Sequence, residues 1–336
     1  MKQFFVGIDV SKEKFDVAVL ASGVKCLSAV YPNNLNGVKQ LVTALKHFPE
    51  FELGNAVFCL EQTGIYVNHL LEGLHKREAI VWLENPLKIK QSNKLMRGKS
   101  DQIDAEMIAW YAFKNKDDLK RWQPKTAAFQ RLKHLFTLRT RLISKKNSLL
   151  TPLKEADGFV SKQVLRLEKR LMKAAVQGIT ESLKHIEKEI AELIGQDENI
   201  NHQFKLLTSV ESIGKVTALY MILATNEFKD FYCPRKFACY SGVAPLEHRS
   251  GSSVRGKTRV SHYANKTIKS LLHLAAMSSI VHSKEMEHYY RRMVASGKNK
   301  MSVINAVRNK LIQRMFAVIR DNRPYEKRLP IDLVLP

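Results

Sequence analysis

Residues 4–20 read FFVGIDVSKEKFDVAVL, two apolar runs parted by Ser11, Lys12 and Glu13. That pattern predicts a β-hairpin with strands over 4–11 and 14–21. A third strand is expected over 26–31. Residues 32–36 break the pattern, after which Val38, Leu41, Val42 and Leu45 recur at helical spacing. Short apolar runs at 56–60 and 79–83 have strand character and flank a helix predicted over 66–75. The resulting order, β-β-β-α-β-α-β, predicts a mixed sheet carrying helices.

From about residue 125 the period changes. Phe129, Leu132, Phe136, Leu142, Ile143 and Leu149, with Lys and Arg between them, mark a long amphipathic helix. Leu183, Ile186, Ile190 and Leu193 then step by 3, 4 and 3, the spacing of a helical hairpin or of a self-association seam. Beyond Phe204 the pattern is mostly helical, with a loop expected over 239–258 and helical stretches near 265–282 and 302–320. The chain therefore divides into an α/β region over 1–120, a helical spacer over 121–200 and a mostly helical region over 201–336. No internal repeat or low-complexity segment interrupts it.

Charge adds a partner to this outline. Lys and Arg outnumber Asp and Glu by 55 to 32, a net charge of +23 that favours a polyanion, with nucleic acid the default. The excess is uneven: +2 over residues 1–120, +7 over 121–200 and +14 over 201–336. The first region thus keeps its acids where the partner itself would be acidic. Cys26, Cys59, Cys233 and Cys239 form no CxxC pair and no secretory pattern opens the chain, which points to a reducing cytoplasm and to neither a zinc knuckle nor a disulfide framework. No apolar run approaches the roughly 20 residues of a membrane span.

The acids of the first region are the candidate chemistry. Strand alternation puts Phe5, Gly7 and Asp9 on one face and Val6, Ile8 and Val10 on the other. A carboxylate there must reach water, a cation or a donor, because burying it unpaired is costly. Glu61 repeats the situation at the end of the 56–60 strand, in CLEQTGIY. In GKSDQIDAEMIAWY, Ser100 is placed to cap a helix whose Asp101 and Asp104, three apart, share a face. One acid at a helix N-terminus is explained by the helix dipole alone. Two on one side, with Asp9 and Glu61 to meet them, call for hard divalent cations such as Mg²⁺, which take oxygen ligands and can clamp the attacking and leaving oxygens of a phosphodiester. Asp16 is read as a solvated turn acid outside this set.

The stretches GIDVSKEKFDVAVL, CLEQTGIY and GKSDQIDAEMIA, in this order and spacing, resemble the DEDD-type transposases of insertion sequences that use a bridge RNA, a family that also includes Piv-like DNA invertases. Downstream, CYSGVAPLEHRSGSSVRGKTRVSHYANKTIKSLL is similar to that family's second signature, so the resemblance spans nearly the whole chain. It implies an α/β plus α architecture: an RNase H-like (RuvC-like) N-terminal domain whose Asp9, Glu61, Asp101 and Asp104 bind Mg²⁺, a helical spacer, and a C-terminal transposase domain with a catalytic serine. By its place after the Gly-x-x-Pro stretch at 242–245, that serine is Ser250.

A serine attacking a phosphodiester forms a phosphoserine link that preserves the bond energy for rejoining, as recombination requires. Arg249, Arg255, Lys257 and Arg259 stand around it to hold the scissile phosphate. Ser252 and Ser253 are further phosphate contacts, and Ser241 is read as packing. Residues 206–222 resemble a helix-hairpin-helix element, in which Gly214 and Lys215 would offer backbone amides to phosphate. Glu211 and Ser212 depart from the usual Pro and Gly of that turn.

The resemblance further implies donor and target DNA, a noncoding bridge RNA and a homo-oligomer as partners, in a prokaryotic cytoplasm near the nucleoid and without a membrane. Alternative readings are a Piv-like site-specific invertase, a RuvC-like junction nuclease that needs the four acids and water but no serine, and a non-catalytic nucleic-acid scaffold.

Overall fold

The computed structural model describes residues 4–92, 100–250, 254–260 and 264–327, with 246–250 and 254–259 given by their backbone path. β-branched and aromatic residues dominate β1 (Phe4–Val10) and recur in β2 (Lys14–Ala21) and β3 (Val24–Pro32), and the three strands form an antiparallel meander. Asn34 caps the helix that follows, α1 (Leu35–Leu45), accepting a hydrogen bond from the Gly37 amide at 2.8 Å. Then come β4 (Ala56–Glu61), α2 (Asn68–His75), β5 (Ile80–Glu84), α3 (Pro86–Ser92) and α4 (Asp101–Lys114). β4 joins β1 in parallel and β5 joins β4 in parallel, giving a five-stranded mixed sheet in the order β3-β2-β1-β4-β5. The element order matches the sequence reading; α3 is an addition to it.

Alternation along the strands sorts their side chains between two layers. Phe4, Val6, Ile8, Val17, Val19, Phe58 and Leu60 pack with Val38, Leu41 and Leu45 of α1 and Leu70 and Leu74 of α2. Phe5, Ala18, Leu20, Val57, Cys59 and Trp82 pack with Ala105, Ile108, Ala109 and Ala112 of α4. These elements belong to the first of two compact units, Met1–Pro124 and Lys125–Pro336.

In the second unit, α5 (Ala127–Glu155) and α6 (Lys162–Gln196) form a helical hairpin, followed by α7 (Glu198–Ser209), α8 (Lys215–Thr225) and α9 (Pro234–Tyr240). Two short strands, β6 (Pro245–Ser250) and β7 (Val254–Val260), pair antiparallel, and α10 (Lys266–His282), α11 (Lys284–Ala295) and α12 (Lys300–Arg320) complete the unit. The loop expected over 239–258 is thus corrected to a β-hairpin over most of its length. Its Ser, Gly and Arg content hid the strands, because a two-stranded ribbon needs no buried apolar face to form its ladder.

Ile186, Ile190 and Leu193 are buried in one core with Leu132 and Phe136 of α5 and with residues of α7, α8, α10 and α12. Of the two uses open to their spacing, the hairpin within one chain is the one found. Nearer the start of α6, Val164, Leu167 and Leu171 remain exposed. Among the described residues, no helix is long and apolar enough to cross a membrane.

Candidate active site

Gly7 decides how closely α4 lies on the sheet. A β-carbon added there would overlap the backbone of Ala105 and Ala109, so only glycine lets the helix rest directly on β1. The Phe113 ring stacks edge-on to Phe5 at 5.4 Å between centroids, fixing the helix's far end near the start of β1. α4 therefore runs antiparallel to β1. Its first turn, one turn before Ala105, reaches the end of the strand where Asp9 stands. Ser100 caps that turn, accepting from the Ile103 amide at 3.3 Å, and Asp101 and Asp104 are its acidic residues.

Strand register completes the site. Asp9 is paired directly with Asp16 of β2, and Glu61 with Glu84 of β5. The parallel register Ile8 to Leu60 brings Asp9 and Glu61 side by side at the next step. All four share the α4 face with Phe5, Ala18, Cys59 and Trp82. The result is a row of carboxylates, Asp16–Asp9–Glu61–Glu84, on neighbouring strands about 5 Å apart.

The row is not uniform. At one end Asp16, 3% exposed, is paired with Lys14 at 3.0 Å. At the other, Glu84, 7% exposed, accepts from the Tyr111 hydroxyl at 3.0 Å and the Asn85 amide at 2.7 Å, and pairs with Lys88 at 3.2 Å. Asp9 and Glu61, in the middle, form no ion pair among the described residues. Burial lifts the Asp9 carboxyl to about 6, and the charges of Asp104, Glu61, Asp101 and Asp16 add to the lift. Glu61 is raised by burial and by Asp104, with Lys90 pulling the other way. Tyr111 is raised by burial and by its bond to Glu84.

Asp9, Glu61, Asp101 and Asp104 are thus electrostatic neighbours. They do not form a closed cage: among the described residues, no group of three acidic, His or Cys side chains is gathered tightly enough to hold a metal ion. Asp101 instead turns to Lys14, 3.0 Å away. The set nonetheless fits a hard divalent cation. Its donors are all oxygen, and Asp9, raised by burial and then by the charges of Asp104, Glu61, Asp101 and Asp16, has no ion-pair partner among the described residues.

The reading of Asp16 as a solvated turn acid is corrected. It is buried opposite Asp9, and the same two-residue alternation that placed Asp9 would have placed it once the hairpin register was known. Glu84 was missed altogether. Its only signal was its place after the apolar run 79–83, matching that of Glu61 after 56–60.

The remaining candidates lie in the second unit. Ser250 ends β6 opposite Val254, and Arg249 stands opposite Arg255. Lys257 and Arg259 are on β7, Arg259 opposite Leu246, while Ser252 and Ser253 lie outside the described residues. Ser241 is fully buried and donates to the Ala238 carbonyl at 3.1 Å, the packing role expected of it. Gly214 caps α8 after a turn in which Ser212 holds a left-handed φ of 65°, the conformation that a glycine would adopt more readily. Lys215 opens α8.

Comparison with known proteins adds family to geometry. Residues 6–156 match a DEDD-type IS110 transposase family, and residues 204–291 match the transposase IS116/IS110/IS902 family. The pilin gene-inverting protein of Moraxella bovis is 26% identical over 98% of this chain and 99% of its own length, and that of Moraxella lacunata is equally similar. The transposase for insertion sequence element IS1111A of Coxiella burnetii is 23% identical over 55% of this chain and 56% of its own. Both ends of the chain match the same group, and the first match takes in Asp9, Glu61, Asp101 and Asp104, so the chain belongs to the IS110 family of DEDD transposases and DNA invertases, enzymes of DNA recombination.

Proposed function

We propose that this chain cuts and rejoins DNA strands with Asp9, Glu61, Asp101 and Asp104 as ligands of Mg²⁺ and Ser250 as nucleophile. The observation that carries the metal reading is the placement of Asp9 beside Glu61, one step past the Ile8–Leu60 pair and near the first turn of α4, where burial and acidic neighbours lift Asp9 to about 6. The strand order β3-β2-β1-β4-β5, with an antiparallel meander and two parallel strands, supports an RNase H-like arrangement for this unit. When bound, the ions polarise the phosphodiester and stabilise the oxygens that attack and leave.

In the covalent step, Ser250 Oγ gives up its proton and bonds to phosphorus while the bond from phosphorus to a deoxyribose oxygen breaks, and that oxygen takes up a proton. The resulting phosphoserine keeps the energy needed for rejoining. Arg249, Arg255, Lys257 and Arg259, with Ser252 and Ser253, hold the phosphate. Gly214 and Lys215 meet the DNA backbone at the start of α8. A noncoding bridge RNA pairs with donor and target DNA, and the chain works as a homo-oligomer in which Ser250 of one copy serves the acids of another. The net charge of +23 suits two nucleic-acid partners.

The test is a recombination assay on supercoiled DNA with Mg²⁺. Ser250→Ala should abolish the covalent protein–DNA product and leave metal binding intact, and full strand transfer by that variant would end the serine reading. Mixing Asp104→Asn with Ser250→Ala chains tests the shared site, since restored activity requires residues from two copies. Sequencing the nucleic acid that copurifies identifies the guide. The two full-length Moraxella relatives favour a second reading, site-specific inversion without transposition. Mapping of product junctions separates the two, because inversion preserves the flanking DNA and transposition moves the element.

A further inference from the structure

Lys14 opens β2 and is held there by its backbone. The Ser11 amide and hydroxyl both donate to the Lys14 carbonyl, at 3.0 and 2.8 Å. Two residues before Asp16 on the same strand, it shares the α4 face and stands next to the Asp16 end of the carboxylate row, one step along β2. Its ammonium lies 3.0 Å from Asp16 and 3.0 Å from Asp101, joining the strand to the first turn of α4.

These two contacts are unequal. The Asp101 side chain is 56% exposed, so its pair with Lys14 is screened by water and is easily exchanged for a stronger cation. The Asp16 side chain is 4% exposed, and removing its partner would leave a buried charge unpaired. A divalent ion arriving at Asp101 would therefore displace the ammonium from Asp101 and not from Asp16.

We propose that Lys14 is the resident counter-cation of the acidic centre: it holds Asp101 in the metal-free protein, yields Asp101 to the divalent ion, and, still anchored by Asp16, then contacts a non-bridging oxygen of the DNA phosphate. This rests on the reading of the four acids as a metal centre. Released from Asp101 and still held by Asp16, the ammonium would be placed to meet a phosphate oxygen, whose charge grows during transfer. Asp16 then has a defined task as the positioning residue that keeps Lys14 at the site in both states.

The experiment measures Mg²⁺ and Mn²⁺ binding to the full chain by calorimetry without DNA, and single-turnover cleavage at saturating metal, for wild type, Lys14→Gln, Lys14→Arg and Asp16→Asn. Lys14→Gln removes a competitor and should bind the ions about fivefold more tightly, yet cleave about tenfold more slowly. Lys14→Arg should recover most of the cleavage rate. Asp16→Asn should slow cleavage alone but add little to Lys14→Gln, since both act through one ammonium.

If Lys14 only braces the fold, Lys14→Gln binds metal more weakly or equally well, and that result overturns the proposal. An unchanged cleavage rate overturns it too. Should the wild-type chain bind no divalent ion, the metal centre itself is refuted. Wild-type binding that Lys14→Gln leaves unaltered refutes only the role of Lys14.

Discussion

The two units differ sharply in charge. Met1–Pro124 holds 17 basic and 14 acidic residues, close to balance, while Lys125–Pro336 holds 38 and 18. The first gathers carboxylates on one sheet face, an arrangement that repels a polyanion until cations arrive. The second supplies attraction over a long helical surface and makes no comparable acidic row among its described residues. On the proposed metal reading, the acidic centre is not also the main source of DNA affinity, because the charges that metal ligands need oppose the phosphate backbone. Separating the two lets each be optimised without weakening the other.

The largest effects should come from variants that silence one unit and spare the other. Asp104→Asn is expected to lower strand cleavage by at least about a thousandfold and to abolish the metal-binding heat, with nucleic-acid affinity retained. Ser250→Ala should lose recombination to a similar degree while keeping that heat. A pair of variants with identical profiles would break the proposed division.

Gly7→Ala probes the contact that brings helix acids to strand acids. The added methyl group must push α4 off β1, at a cost of about 3 kcal/mol read by chemical denaturation. Metal affinity should fall with it, whereas retention of both would mean that the close approach of helix and strand is not what assembles the site.

A smaller change is expected from Arg141→Glu combined with Lys145→Glu, on the exposed side of α5. Nucleic-acid affinity at moderate salt should drop about tenfold, with a shallower salt dependence and unaltered metal binding.

Asp9→Asn should produce the smallest shift and the most diagnostic one. In EDTA the Asp9 carboxyl is raised from its ordinary value to about 6, so the folded protein holds that proton more tightly than the unfolded chain does. Its contribution to stability is therefore fully present below the unfolded value, and it is lost as pH rises through about 6. At neutral pH the Asn variant should be more stable than wild type by about 1 kcal/mol, after allowance for partial solvent screening, while being inactive. The gap should close below about pH 4, and added Mg²⁺ should close it from the other side by stabilising wild type alone. Melting curves of both proteins across pH 4–8, with and without Mg²⁺, check the sign.

Hydrophobic period was enough to find the strands of the first sheet, the long helices of the second unit and the capped turn at Ser100. These features depend on neighbours within a few residues of one another, and such spacing is written directly into the chain. The same period announced that Asp9 and Glu61 end strands and that Asp101 and Asp104 share a helix face.

Which strand lies beside which, and in what register, is set by contacts between residues far apart in sequence. Asp16 looked solvated until β2 was laid against β1, and Glu84 drew no notice until β5 was laid against β4. Ile186, Ile190 and Leu193 had the spacing of a seam between copies, and the burial offered by α5, α7 and α12 decided otherwise. Local pattern determined which face each acid occupies. Tertiary packing determined its company, pairing Asp16 with Lys14 and Glu84 with Lys88 and leaving Asp9 and Glu61 between them without an ion pair among the described residues, because the free energy of a charge depends on every group around it and not on its place in the chain.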